Sequence, residues 1–188
     1  MNLSAKTKAA FIDRDGVINE ERNYVHRISD FVLLPDVIEG LSLLRDAGYL
    51  LILVTNQAGI ARGYYQQAEM DRLHDHLREL LAKQGVSLDA IYFCPHHPQG
   101  NIKALAIECN CRKPSPGMLL QAAKDFNLNL STCVLIGDKF SDVQAGKRAG
   151  VGRTVIVESG HKVEQAARLE SDLVAKDLFA AARMLTGK

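Results

Sequence analysis

The chain has 188 residues, with 23 Lys and Arg against 22 Asp and Glu, a formal charge of +1. A chain of that length can bury about 70% of its unfolded surface in one core, so a single domain over residues 1–188 is expected. The balanced charge leaves no electrostatic footprint for nucleic acid or a membrane surface. No run approaches the length of a membrane span, and residues 1–7, MNLSAKT, lack the apolar core of a signal peptide. A cytoplasmic monomer is the expectation.

Ala9-Ala10-Phe11-Ile12 is a short apolar run that leads straight into Asp13, Asp15 and Gly16. Side chains two apart in a strand share a face, which brings Asp13 and Asp15 toward one volume past the strand's carboxyl end, where open α/β sheets place ligands. Two acids that close repel each other, and a cation is the usual remedy. On its own the stretch is equally a strand running into an acidic turn.

Residues 19–24 are polar and aperiodic, a loop over that edge. Asp36 is placed to cap a helix that carries Val37, Leu41 and Leu44 at helical spacing and stops at Gly48. Leu50 to Val54 is a continuous apolar run, the pattern of a parallel strand covered on both faces. It ends at Thr55-Asn56-Gln57, and residues 59–63 read as a loop. A long amphipathic helix over 67–83 then presents Met70, Leu73, Leu77, Leu80 and Leu81 on one face. His74 and His76, among charges, read as surface residues.

A strand at 90–93 precedes an irregular segment from Cys94 to Pro116. Helices are expected at 117–127, 141–149, 163–170 and 177–185, and strands at 133–136, 154–157 and 173–174, with Cys133 in the core. Strands alternating with helices predict an α/β fold: a doubly wound, mainly parallel Rossmann-like sheet with helices on both faces and right-handed crossovers.

The strands of such a sheet end at one edge, and there the sequence places Asp13 and Asp15, Thr55 and Asn56, and Gly137-Asp138 with Asp142. Arg112-Lys113-Pro114 adds fixed positive charge ahead of a helix, and Asp142 also suits the first turn of its helix. A nucleophile, a second acid, a hydroxyl, an ammonium and a further acid for magnesium are the parts that phosphoryl transfer to a carboxylate requires.

Asp13-x-Asp15-Gly16-Val17, strand-terminal Thr55, Lys113 and Gly137-Asp138-x-x-x-Asp142 resemble, in order and spacing, the four motifs of the haloacid-dehalogenase-like phosphatases. The resemblance implies that Asp13 is the nucleophile and that Asp15 is the proton donor and acceptor. Thr55 and Lys113 would hold the phosphoryl oxygens, and Asp13, the carbonyl of Asp15 and Asp138 would bind Mg2+.

Three of four cysteines crowd into residues 94–111 beside two histidines. Cys94, His96, Cys109 and Cys111 suffice for a closed tetrahedral Zn2+ site, with His97 as the alternative imidazole. A closed site is structural, and it would staple the loop that carries Arg112 and Lys113. With no room for a large cap domain, the chain resembles the small capless branch, which includes the histidinol-phosphate phosphatases and, closer over residues 55–63, 94–100 and 111–114, the heptose-bisphosphate phosphatases of lipopolysaccharide precursor synthesis. A small phosphorylated sugar is then the implied substrate. Its implied contacts are Glu21, Arg22, Asn23, Tyr24, Asn56, Gln57, Ala58 and Arg112, and Arg22, Arg62, Arg112 and Lys139 are candidates to grip a distal phosphate. The other readings are a histidinol-phosphate phosphatase and a zinc-stapled phosphate-binding module without turnover.

Overall fold

A computed structural model describes residues 7–188; the expectation about the first residues lies almost wholly outside that range. Six parallel strands, β1 (Lys8–Ile12), β2 (Tyr49–Asn56), β3 (Ala90–Cys94), β4 (Val134–Gly137), β5 (Arg153–Val157) and β6 (Leu173–Ala175), form one sheet in the order β3-β2-β1-β4-β5-β6. The chain winds outward from β1 on one side, then returns to lay β4 on the other. β1 and β4 therefore flank the switch point, where open α/β sheets leave a crevice at the carboxyl ends.

Strand residues alternate between two cores because their side chains alternate in direction. Ala10 and Ile12 join Leu51, Leu53 and Ile136 beneath α1 (Val37–Asp46), α3 (Gln67–Lys83) and α7 (Leu178–Thr186). Ala9 and Phe11 join Ile52, Val54 and Leu135 beneath α4 (Gly117–Asp125) and α5 (Phe140–Ala149), while α6 (Gln165–Glu170) covers Ile156. The sheet is thus doubly wound, as the alternating pattern predicts. Cys133 is buried between β1 and the segment before β4, its Sγ 3.2 Å from both the Ala9 amide and the Asn129 carbonyl. Among the described residues, no helix is long and apolar enough to cross a membrane.

Three expectations need correction. Residues 58–62 form a short helix, α2, closed by Gly63 at φ 76°; five residues are too few to show a period. Asp36 precedes α1 but makes no capping bond, because its left-handed backbone (φ 57°) is not the extended conformation a capping side chain needs. His74 is buried on the inner face of α3. A buried guanidinium, described below, accounts for it.

Phe11 is fully buried two residues before Asp13. Phe11→Ala should cost about 3–5 kcal/mol in urea unfolding with an unchanged m-value; a loss below about 1 kcal/mol would mean that this face of β1 is not close-packed.

Candidate functional site

The carboxyl ends of β1, β2 and β4 open into a cavity of about 440 Å3. Asp13, Asp15, Thr55 and Lys113 line it, as do Glu21, Asn23, Tyr24, Asn56, Gln57, Ala58, Arg62, Arg112 and Lys139. Arg22 does not: it is exposed and pairs with Glu20 at 2.6 Å. The loop over the cavity is tied down where Glu20 donates to the Val32 carbonyl and Leu34 to that of Ile18.

Asp13 follows β1 directly, and its amide donates to the Ile136 carbonyl, fixing it at the switch point. Lys113 arrives from the irregular segment, its backbone clamped by both ends of one side-chain amide: Lys113 N donates to Asn56 Oδ1, and Asn56 Nδ2 to the Lys113 carbonyl, each at 3.0 Å. Asn56 thus sits in the cavity wall with its polar atoms engaged. The Lys113 ammonium lies 2.8 Å from Asp13 Oδ1, 2.6 Å from Asp142 Oδ1 and 2.8 Å from the Val54 carbonyl. Burial alone would lower its pKa, but the carboxylates of Asp13 and Asp142 outweigh that and hold it above the usual lysine value.

Asp138 follows β4 directly. Its Oδ2 accepts from the His161 amide (2.9 Å) and meets His161 Nδ1 (2.6 Å), whereas its Oδ1 is buried with no hydrogen-bond partner. Asp142 accepts at Oδ2 from the Lys139 amide, so it serves both as a helix-start acid and as a partner of Lys113. Asp13, Asp138 and Asp142 present oxygens within 4.8 Å of one another. Three carboxylates against one ammonium leave a surplus of two negative charges. Burial, with the neighbouring acids adding to it, pushes the carboxyl groups of Asp13 and Asp138 above their ordinary range. A small divalent cation that prefers oxygen ligands fits this set, and Asp138 Oδ1 is free to meet it.

Asp15 lines the same cavity but its carboxylate does not join that cluster. β1 ends at Ile12, so the strand period that would align Asp13 and Asp15 does not continue. Instead Asp15 rests on the fully buried Arg14, whose Nη2 lies 2.7 and 2.9 Å from its two oxygens, and it also accepts from Asn19 (3.1 Å) and Gln57 (3.0 Å). Burial would raise its pKa; the guanidinium beside it overrides burial and holds it below the usual carboxylate value. Arg14 also donates to the Val25 carbonyl and lies against Met70 Sδ and His74 Nε2 of α3.

Beside the cavity, Cys94, His96, Cys109 and Cys111 form a second cluster within 4.8 Å. Sulfur separations are 3.2–3.5 Å, and His96 Nδ1 is 3.3 Å from Cys111 Sγ. Zn–S bonds of about 2.3 Å in a tetrahedron set sulfurs about 3.8 Å apart, so a small outward shift would admit the ion. His97 points elsewhere, into the cavity beside Arg62.

The sequence reading missed Arg14, Tyr65 and His161. Arg14 stands between the two acids, where a side chain of opposite direction reaches α3. His161 lies in the loop after β5, aperiodic but at the sheet edge shared by the other site residues.

Residues 110–181 match the family model described as HAD-hydrolase-like. The chain is 44% identical to the D-glycero-alpha-D-manno-heptose-1,7-bisphosphate 7-phosphatase of Photorhabdus laumondii, over 96% of this chain and 97% of that protein. It is 42% identical, with the same coverage, to the D-glycero-beta-D-manno-heptose-1,7-bisphosphate 7-phosphatase of Pasteurella multocida. The crystal structure of a D,D-heptose 1,7-bisphosphate phosphatase from B. bronchiseptica, complexed with magnesium and phosphate, superposes with a TM-score of 0.82 at 31% identity, covering 96% of this chain and 99% of that one.

Burial first, and Arg14 second, lower the His74 pKa from 6.5 to about 3. The folded state keeps this imidazole neutral while the unfolded chain protonates it, so its contribution is complete above pH 6.5 and is lost as pH falls toward 3. Stability should therefore drop by up to about 1.4 kcal/mol per pH unit below pH 6.5. His74→Gln should flatten that slope in urea unfolding at pH 7 and pH 5; an equal slope would assign the acid sensitivity to other groups.

Proposed function

Since the chain belongs to the heptose-1,7-bisphosphate 7-phosphatases of the haloacid-dehalogenase-like hydrolases, we propose that it removes the 7-phosphate of D-glycero-D-manno-heptose 1,7-bisphosphate, in the supply of lipopolysaccharide core precursors. The observation that carries this reading is the Asp13 carboxylate, pinned by Lys113 at the cavity floor beside the unpartnered Oδ1 of Asp138.

Asp13 attacks phosphorus, its new P–O bond forming as the bond to the sugar oxygen breaks. Asp15 gives that oxygen a proton as it leaves. The aspartyl-phosphate is then hydrolysed by a water whose proton passes to Asp15, which restores both carboxyl groups. A phosphate dianion arriving beside Asp15 raises its proton affinity, as a like charge does, and so opposes the pull of Arg14. Lys113 and the Thr55 hydroxyl hold the equatorial oxygens where charge builds up.

Asp13, Asp138 and the Asp15 carbonyl would hold Mg2+, while Asp142 pairs with Lys113. Bound magnesium supplies a Lewis acid that offsets the surplus negative charge and the charge of the phosphate. Arg62, Arg112 and Lys139 line the cavity and would meet the distal phosphate, while Glu21, Asn23, Tyr24 and Ala58 would border the sugar. Zinc on Cys94, His96, Cys109 and Cys111 would hold the segment next to Arg112 and Lys113.

Purified protein should hydrolyse D-glycero-D-manno-heptose 1,7-bisphosphate in the presence of Mg2+, with kcat/KM well above that for histidinol phosphate. Asp13→Asn should reduce turnover to background, and Asp15→Asn should lower it by about 10²–10⁴-fold. Preference for histidinol phosphate would overturn the substrate, and phosphate binding without turnover would favour a non-catalytic module. For the second metal, elemental analysis should find one zinc per chain, and Cys109→Ser should lose the zinc and lower the melting temperature. Full stability and activity without zinc would remove it from the account.

A further inference from the structure

Asp15 must give and take a proton at one place, yet it lies beyond the end of β1, where no strand register holds it. Its oxygen Oδ2 is met on the cavity side by Gln57 Nε2 at 3.0 Å. The same nitrogen donates to Thr55 Oγ1 at 2.8 Å, so both amide protons are engaged. A carboxylate requires the nitrogen end of the amide, which turns the carbonyl end away. That carbonyl, Gln57 Oε1, accepts from the Tyr65 hydroxyl at 2.7 Å.

Tyr65 is built in firmly. It precedes α3, is 4% exposed, stacks on His26 with centroids 4.6 Å apart, and lies so close to Gly59 that any side chain there would strike its ring. Its surroundings also keep it a donor: burial pushes its pKa well above the usual tyrosine value. Tyr65 is not among the residues that line the cavity.

We propose that Tyr65 is a positioning residue for proton transfer to the leaving group: its hydroxyl fixes the Gln57 amide, and the amide fixes the carboxylate of Asp15. This rests on Asp15 being the proton donor of the reaction above. Without the hydroxyl, Gln57 Oε1 is a buried acceptor with no partner, and an amide that shifts to find one withdraws its nitrogen from Asp15. Arg14 and Asn19 would still hold Asp15, but Oδ2 would lose its contact with the cavity-lining Gln57.

The role has a signature that lost packing lacks. An alkoxide from a sugar needs a proton as it leaves, whereas p-nitrophenolate does not. The experiment measures kcat/KM of the wild type and Tyr65→Phe, with Mg2+, on the heptose bisphosphate and on p-nitrophenyl phosphate. This parameter covers steps only through departure of the leaving group, so slower hydrolysis of the aspartyl-phosphate does not enter it.

Tyr65→Phe should lower kcat/KM on the sugar phosphate by about tenfold, a part of what a general acid contributes, and leave the aryl phosphate within about twofold. The ratio of the two values in one preparation is independent of how much of the variant is folded. An equal fall on both substrates, or a fall on neither, would overturn the proposal. Failure of the wild type to hydrolyse either ester with Mg2+ would instead sink the phosphatase reading beneath it.

Discussion

The Lys113 ammonium, held between Asp13 and Asp142 at 2.8 and 2.6 Å, is the contact on which the site depends. Three buried carboxylates meet at the switch point, and their mutual repulsion would raise the cost of ionising any of them. One cation brings that cost down without cancelling it. The surplus that remains is what makes the site receptive to a divalent ion and then to a phosphate. Removing the ammonium would leave buried, unpaired acids, a change that costs several kcal/mol in comparable settings.

Because Lys113 is 100 residues from Asp13 in the chain, its place must be built by the irregular segment that carries it. Two devices do this. The Asn56 amide grips its backbone from the end of β2, and the cluster of Cys94, His96, Cys109 and Cys111 gathers the segment immediately before it. The loop is long but anchored at both ends of its functional part.

Two carboxylates separated by one residue hold opposite positions electrostatically. Asp13 is pushed up by burial and by acidic neighbours; Asp15 is pulled down by Arg14. Burial first, and the same Arg14 second, keep His74 neutral, so a histidine of α3 that has an exposed pattern in the sequence packs beneath the site.

The fold was legible in the sequence because parallel strands with both faces covered leave unbroken apolar runs, and those runs end where the polar residues begin. Asp13, Thr55, Lys113 and Asp138 lie at predicted strand ends or in the segment beside them, and the cysteine spacing pointed to the second cluster. What escaped was tertiary. His74 among charged neighbours has the pattern of an exposed residue, and the structure buries it against Arg14, just past β1, and Phe93. His161 and Tyr65 sit in connections with no period, and the capping bond expected of Asp36 is lost to a backbone angle that composition does not encode.

The most direct test of the account is chemical trapping of the phosphorylated residue. Enzyme quenched during turnover of the heptose bisphosphate and reduced with borohydride would carry homoserine in place of an acyl-phosphate, located by peptide mass spectrometry. The account predicts that label at position 13 and nowhere else. Full turnover with position 13 unlabelled would contradict it and place the attack on a water instead.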